Sequence, residues 1–128
     1  MNENYIIATR PRNALQVFSY EGLPDKNVWF EEKYIGAEVH CFLDRDINNS
    51  NELSKAEMDA RDFPARSGWI VKELLEDPLW MKMPCRFHCL FSKVLKARRT
   101  AMEIARQDGI SFLAYTWEID DTEPEKQH

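Results

Sequence analysis

The stretch PCRFHCLFSKVLKARRTAMEIARQDGISFLAYTWEI, residues 84–119, decides the fold. Phe87, Leu90, Phe91, Val94, Ala97, Ala101, Ile104 and Ala105 recur at three- and four-residue steps, with Lys93, Lys96, Arg99, Glu103 and Arg106 on the opposite side. This is the pattern of one long amphipathic helix, and Gly109 is placed to stop it. Beyond the glycine, Ile110, Phe112 and Ala114 alternate with Leu113, Tyr115, Trp117 and Ile119. Both faces of the closing strand are therefore apolar, and the reading places it inside a sheet with a layer packed on each side.

Working outward toward the N-terminus, Tyr5–Thr9 and Leu15–Tyr20 read as a hairpin broken at Arg10-Pro11-Arg12-Asn13, and Val28–Tyr34 and Ala37–Leu43 as two further strands flanking Gly36. In the last of these, Ala37, Val39, Cys41 and Leu43 share one face, which predicts its burial. Ser54-Lys55-Ala56-Glu57 matches a capping box, with Leu53 and Met58 spaced as a hydrophobic staple. A short helix is expected from Lys55 to no further than Phe63, because the residue before Pro64 is pushed out of helical geometry. Ser67 is placed to cap a second short helix with Ile70, Val71, Leu74 and Leu75 inward. The proline-bounded segment Leu79-Trp80-Met81-Lys82-Met83 reads as a connector.

The predicted class is α+β: a mainly antiparallel sheet of about five strands, with one long C-terminal helix packed across a face and two short helices. Residues 1–119 read as a single domain and 120–128 as an acidic flexible tail.

Composition bounds the function. A chain of 128 residues with 44% hydrophobic content has material for one core. It contains no run approaching the roughly 18 apolar residues of a membrane span, and Met-Asn-Glu-Asn-Tyr does not resemble a secretory signal, so the expectation is a cytoplasmic protein away from membranes. Three cysteines in apolar surroundings predict reduced thiols rather than a disulfide framework. The net charge of −5 disfavours non-specific nucleic-acid binding, but it hides segregation: residues 92–106 hold five cations against Glu103, and residues 118–128 hold five acids against Lys126.

Several side-chain constellations could carry chemistry. Cys85, His88 and Cys89 share a helical face and could meet Cys41 or His40 from a strand, but the spacing lacks the paired intervals of a zinc ribbon or finger. Cys85 beside Pro84 could be an activated thiol with His40 as base, but packing at a helix start is the favoured reading, because one cysteine and one histidine are a generic match. Pro24-Asp25 followed by Glu31-Glu32-Lys33 faintly echoes a metal-dependent nuclease, while Glu38, Asp44 and Asp46 read as ordinary charges at strand edges. No metal, cofactor or catalytic set is therefore predicted.

Two surfaces remain. The connector residues Trp80, Met81 and Met83 form a candidate partner-binding patch, since tryptophan is enriched at binding hot spots and methionine adapts to varied partners. Lys93, Lys96 and Arg99 form a candidate anion-binding stripe. If the closing strand runs back along the helix, the acidic tail emerges near Lys93 and screens it. The leading expectation is a small protein-interaction module, an adaptor, inhibitor or accessory protein that forms a homodimer. A small-molecule-binding domain or small enzyme, with a pocket near His40, Cys85 and His88, is one alternative. A nucleic-acid binder using the basic helix face is the other.

Overall fold

The computed structural model describes residues 7–25 and 34–118. Its elements, in chain order, are β1 (Ala14–Pro24), β2 (Tyr34–Leu43), α1 (Ser50–Arg66), β3 (Trp69–Leu74), β4 (Leu79–Lys82), α2 (Arg86–Cys89), α3 (Lys93–Asp108) and β5 (Ile110–Glu118). The architecture is mixed α+β, as the sequence predicts: five antiparallel strands in the order β3-β1-β2-β5, with β4 also paired to β1. The long β1 serves two partners along one edge, β4 at Ala14–Val17 and β3 from Tyr20 to Pro24. Within the β3 pairing the register slips at Glu21, which turns outward while its neighbours are buried.

Each face of the sheet carries a helix. On one, Phe18 and Tyr20 of β1 and Ala37, Val39, Cys41 and Leu43 of β2 pack with Leu53, Ala56 and Ala60 of α1. On the other, Leu15 and Val17 of β1 and Phe42 of β2 pack with Ala101, Met102 and Ala105 of α3. The period of two in the strands sorts residues to the two sides, and the small alanines let each helix approach closely. The expected burial of the Ala37-Val39-Cys41-Leu43 face is observed, with all four at 0% exposure.

Four expectations about the elements change. First, residues 85–108 are not one rod. The α-helix ends at Cys89 with Leu90 as its cap, and Ser92, in extended conformation, starts α3 afresh by accepting the backbone N–H of Leu95. The long C-terminal helix is α3 alone, and its inward stripe is Ala101, Met102 and Ala105, while Ile104 is 45% exposed. Second, α1 begins at Ser50, five residues before the predicted start, because Asn49 caps it by accepting the N–H of Glu52. Ser54 and Met58 of the predicted box and staple are exposed. The helix runs through Pro64 for a last turn, closed by Ser67, which donates its hydroxyl to Phe63 and its N–H to Pro64.

Third, Ser67 thus ends a helix rather than beginning one. Gly68, at φ +100°, reverses the chain, and Trp69–Leu74 pairs with β1 as a strand. The helix-like spacing of Ile70, Val71, Leu74 and Leu75 lost to an available sheet edge and to residues that favour extended structure. Fourth, the connector is strand β4, and β5 lies at the sheet edge among the described residues rather than inside it. Both faces of β5 nevertheless meet core, Phe112 toward α1 and Leu113 toward α3, which accounts for its two-sided apolar pattern. Of the predicted first hairpin, Ile7–Thr9 has no regular structure and Tyr5–Ile6 lie outside the described residues, as do Val28–Lys33 and the tail 120–128.

Candidate functional site

The break at Ser92 makes a surface. With α2 only four residues long and α3 restarted at Lys93, Phe87, Leu90, Phe91 and Val94 do not reach the sheet. Their exposures are 65, 77, 77 and 49%, values that leave all four largely in water. Phe87 and Phe91 contact edge to face, with ring centres 5.4 Å apart. Arg99 donates to the carbonyl of Pro84, which holds the chain entering α2 alongside the first turns of α3.

Between α2 and α3 lies a groove of about 520 Å³ lined by Arg86, Cys89, Leu90, Phe91, Ser92, Lys93, Lys96 and Arg99. Its walls are apolar and its rim is cationic. Glu103, one turn beyond Arg99 and 3.8 Å from it, is the only acid between Arg86 and Gln107. Cationic side chains within the first turn of a helix also face the positive end of its dipole, so Lys93 and Lys96 raise an already positive potential there.

The structure brings together all three predicted anion-binding residues, Lys93, Lys96 and Arg99, on this groove. It does not assemble the predicted Trp80-Met81-Met83 patch. Strand alternation sends Trp80 to the α1-side core, where its indole N–H donates to the Ala8 carbonyl at 3.0 Å and Arg10 lies over its ring. Met81 and Met83 pack on the α3-side core.

The histidine and cysteine residues disperse as well. His40 lies on the α3 side of the sheet, 3.2 Å from Glu38 and in a T-shaped contact with Tyr115 at 4.9 Å. Among the described residues, its Nδ1, the Tyr115 hydroxyl and Arg98 Nε are buried without a hydrogen-bond partner. Cys85 and His88 are exposed on α2, and Cys41 is enclosed under α1, where burial pushes its thiol up to about 12. No group of three or more His, Cys, Asp or Glu side chains converges among the described residues. The acids Asp44 and Asp46 both pair with Arg10, and Asp59 pairs with Arg45 at 2.8 Å. Glu31 and Glu32 lie outside the described residues.

What sequence reasoning missed is Phe87, Leu90, Phe91 and Val94 as surface residues. The signal that could have found them is Ser92, a strong N-cap residue in the middle of the supposed rod. Among the described residues no helix is long and apolar enough to cross a membrane. The molecule is thus a small α+β protein carrying a cation-rimmed apolar groove on one helical layer. No family model, curated protein or solved structure matches the chain.

Proposed function

We propose that this protein is a protein-interaction module, an adaptor or inhibitor, whose groove between α2 and α3 takes a partner segment bearing both apolar and acidic side chains. One observation carries the reading: Leu90 and Phe91, each 77% exposed, line the groove with Arg86, Lys93, Lys96 and Arg99, and Phe87, 65% exposed, stands edge-on against Phe91. Burying them against a partner removes apolar area from water, and the cations select which apolar partner is accepted. A second copy presenting the same face brings the same cations into opposition, so face-to-face self-association through this patch is disfavoured. The groove lining also brings no histidine or carboxylate beside the Cys89 thiol or the Ser92 hydroxyl.

The test uses two synthetic probes with the full chain: a twelve-residue amphipathic peptide with leucines on one helical face and glutamates on the other, and a fluorescent single-stranded oligonucleotide. Binding of the peptide, weakened at least tenfold in Phe91→Ser and in Lys93→Glu, supports the reading. Exposed aromatics beside cations can also stack bases. Tight oligonucleotide binding with no peptide binding therefore transfers the groove to nucleic acid and overturns the proposal. Binding of neither probe overturns it as well.

A further inference from the structure

We infer that the acidic segment following β5 occupies the cationic rim of the α2–α3 groove and competes there with a partner. This rests on the docking reading above. The chain's course supplies the reach. β5 doubles back under α3, fixed where the Ser111 hydroxyl donates to the carbonyl of Ala101. From Ala101 back to Lys93 is about 12 Å of helix at ~1.5 Å per residue. From Ser111 on to Glu118 is about 23 Å of strand at ~3.3 Å per residue. The strand thus outruns the start of α3 by about 11 Å on these spacings. The ten residues that follow can extend up to ~33 Å, well beyond the ~10 Å breadth of a helix.

Charge supplies the complementarity. Residues 119–128 carry Asp120, Asp121, Glu123 and Glu125 against Lys126, and the rim they can reach carries Arg86, Lys93 and Lys96. Chemistry also sets the strength of the contact. After Ile119 its apolar groups are limited to the Thr122 methyl, the Pro124 ring and the terminal His128 imidazole, so it can satisfy the cations but offers little to cover Leu90 and Phe91. It is a self-ligand that holds the rim and leaves the apolar floor open. A partner carrying both acidic and apolar groups displaces it, whereas one carrying acids alone competes with a tethered segment at an effective concentration near millimolar. The groove then rejects simple polyanions.

The experiment compares the full-length wild type with a full-length variant carrying Asp120→Asn, Asp121→Asn, Glu123→Gln and Glu125→Gln. The probe is the leucine–glutamate peptide, titrated at low and high salt, with backbone amide NMR shifts recorded for both proteins without peptide. The expected result is about five- to tenfold tighter peptide binding in the variant at low salt, a gap that closes at high salt. Shift differences should cluster on residues 86–99. Equal affinities at low salt, with peptide bound by both, overturn this inference and leave the groove assignment standing. Shift differences confined to residues next to the substitutions overturn it too. Failure of either protein to bind the peptide removes the groove assignment and this inference together.

Discussion

The hydroxyl of Ser92 accepts the backbone N–H of Leu95 at 3.2 Å, and this cap divides one apolar stripe between two fates. Residues after it, Ala101, Met102 and Ala105, close over the sheet, while Phe87, Leu90 and Phe91 before it stand in solvent. A side-chain cap at a helix start contributes about 1 kcal/mol. Ser92→Ala should therefore lower stability by about 1 kcal/mol in urea unfolding. Asn49→Ala, which removes the corresponding cap of α1, should cost a similar amount, whereas Ser54→Ala should stay within about 0.5 kcal/mol because Ser54 is exposed inside the helix. A loss at Ser54 as large as at Asn49 would return the start of α1 to its predicted place.

These caps mark where sequence stops informing structure. Alternation in Ala37–Leu43 and Ile110–Glu118 identified two strands and the buried face of one, since a strand packed on a core must show the period of two. The turn at Gly109 was equally readable, because its left-handed backbone needs glycine. Ile70, Val71, Leu74 and Leu75 misled, since six residues hold too few periods to separate a helix from a strand, and the free edge of β1 that decided the matter is a tertiary fact. The stripe from Phe87 to Ala105 misled differently. Its spacing is continuous, and the interruption is a local competition at Ser92 that periodicity does not register. Lys93, Lys96 and Arg99, three of the four basic residues that line the groove, can be singled out because charge on a helix face survives that break, and their apolar neighbours are assigned inward because periodicity misses it.

Two glycines are required for different reasons, and alanine separates them. At Gly22 an added Cβ meets Val39 Cγ2 at 2.9 Å and the Ile70 carbonyl at 3.3 Å, so β2 and β3 crowd the position. Val39 is wholly buried and branched at Cβ, which leaves it little room to yield. Gly22→Ala should cost about 1–3 kcal/mol through overpacking. At Gly109 nothing lies within 4 Å, but φ is +91°. Gly109→Ala should cost about 1–2 kcal/mol through backbone strain alone. Combining Gly22→Ala with Val39→Ala should recover part of the first loss, and no side-chain trimming should recover the second. The check is denaturant unfolding of the single and double variants.

Thiol chemistry should separate the three cysteines. Cys85 is exposed, Cys89 half-buried and Cys41 enclosed. In the native protein an aromatic disulfide reagent should titrate two thiols, with the third appearing only on unfolding. Burial pushes the Cys41 thiol up to about 12, against an ordinary value near ~8.5 for an unfolded chain. Above ~8.5 the unfolded chain releases this proton first, so it binds fewer protons than the native state and stability falls as pH rises. The contribution is complete below that point and lost as pH climbs through about 12. Burial raises the Tyr20 phenol as well, which adds a loss of the same sign at still higher pH. The urea midpoint of wild type should drop more between pH 8 and pH 10.5 than that of Cys41→Ala, and parallel drops would contradict the assignment.

The last prediction separates surface from core along residues 87–105, where the sequence reading puts Phe91 on the inward stripe and leaves Met102 out of it. Met102 is 0% exposed among Leu15, Val17 and Phe42, so Met102→Ala leaves a cavity and should cost about 2–5 kcal/mol. Phe91, although larger and more apolar, is 77% exposed. Phe91→Ser removes little buried area and should change stability by no more than about 0.5 kcal/mol, even with its edge contact to Phe87 lost. A continuous amphipathic rod predicts the opposite order, because Phe91 would then be a core residue. Chemical unfolding of the two variants decides between them. Retention of full stability in Phe91→Ser also makes it a clean reagent for the docking experiment, since any loss of peptide binding then reports on the surface and not on the fold.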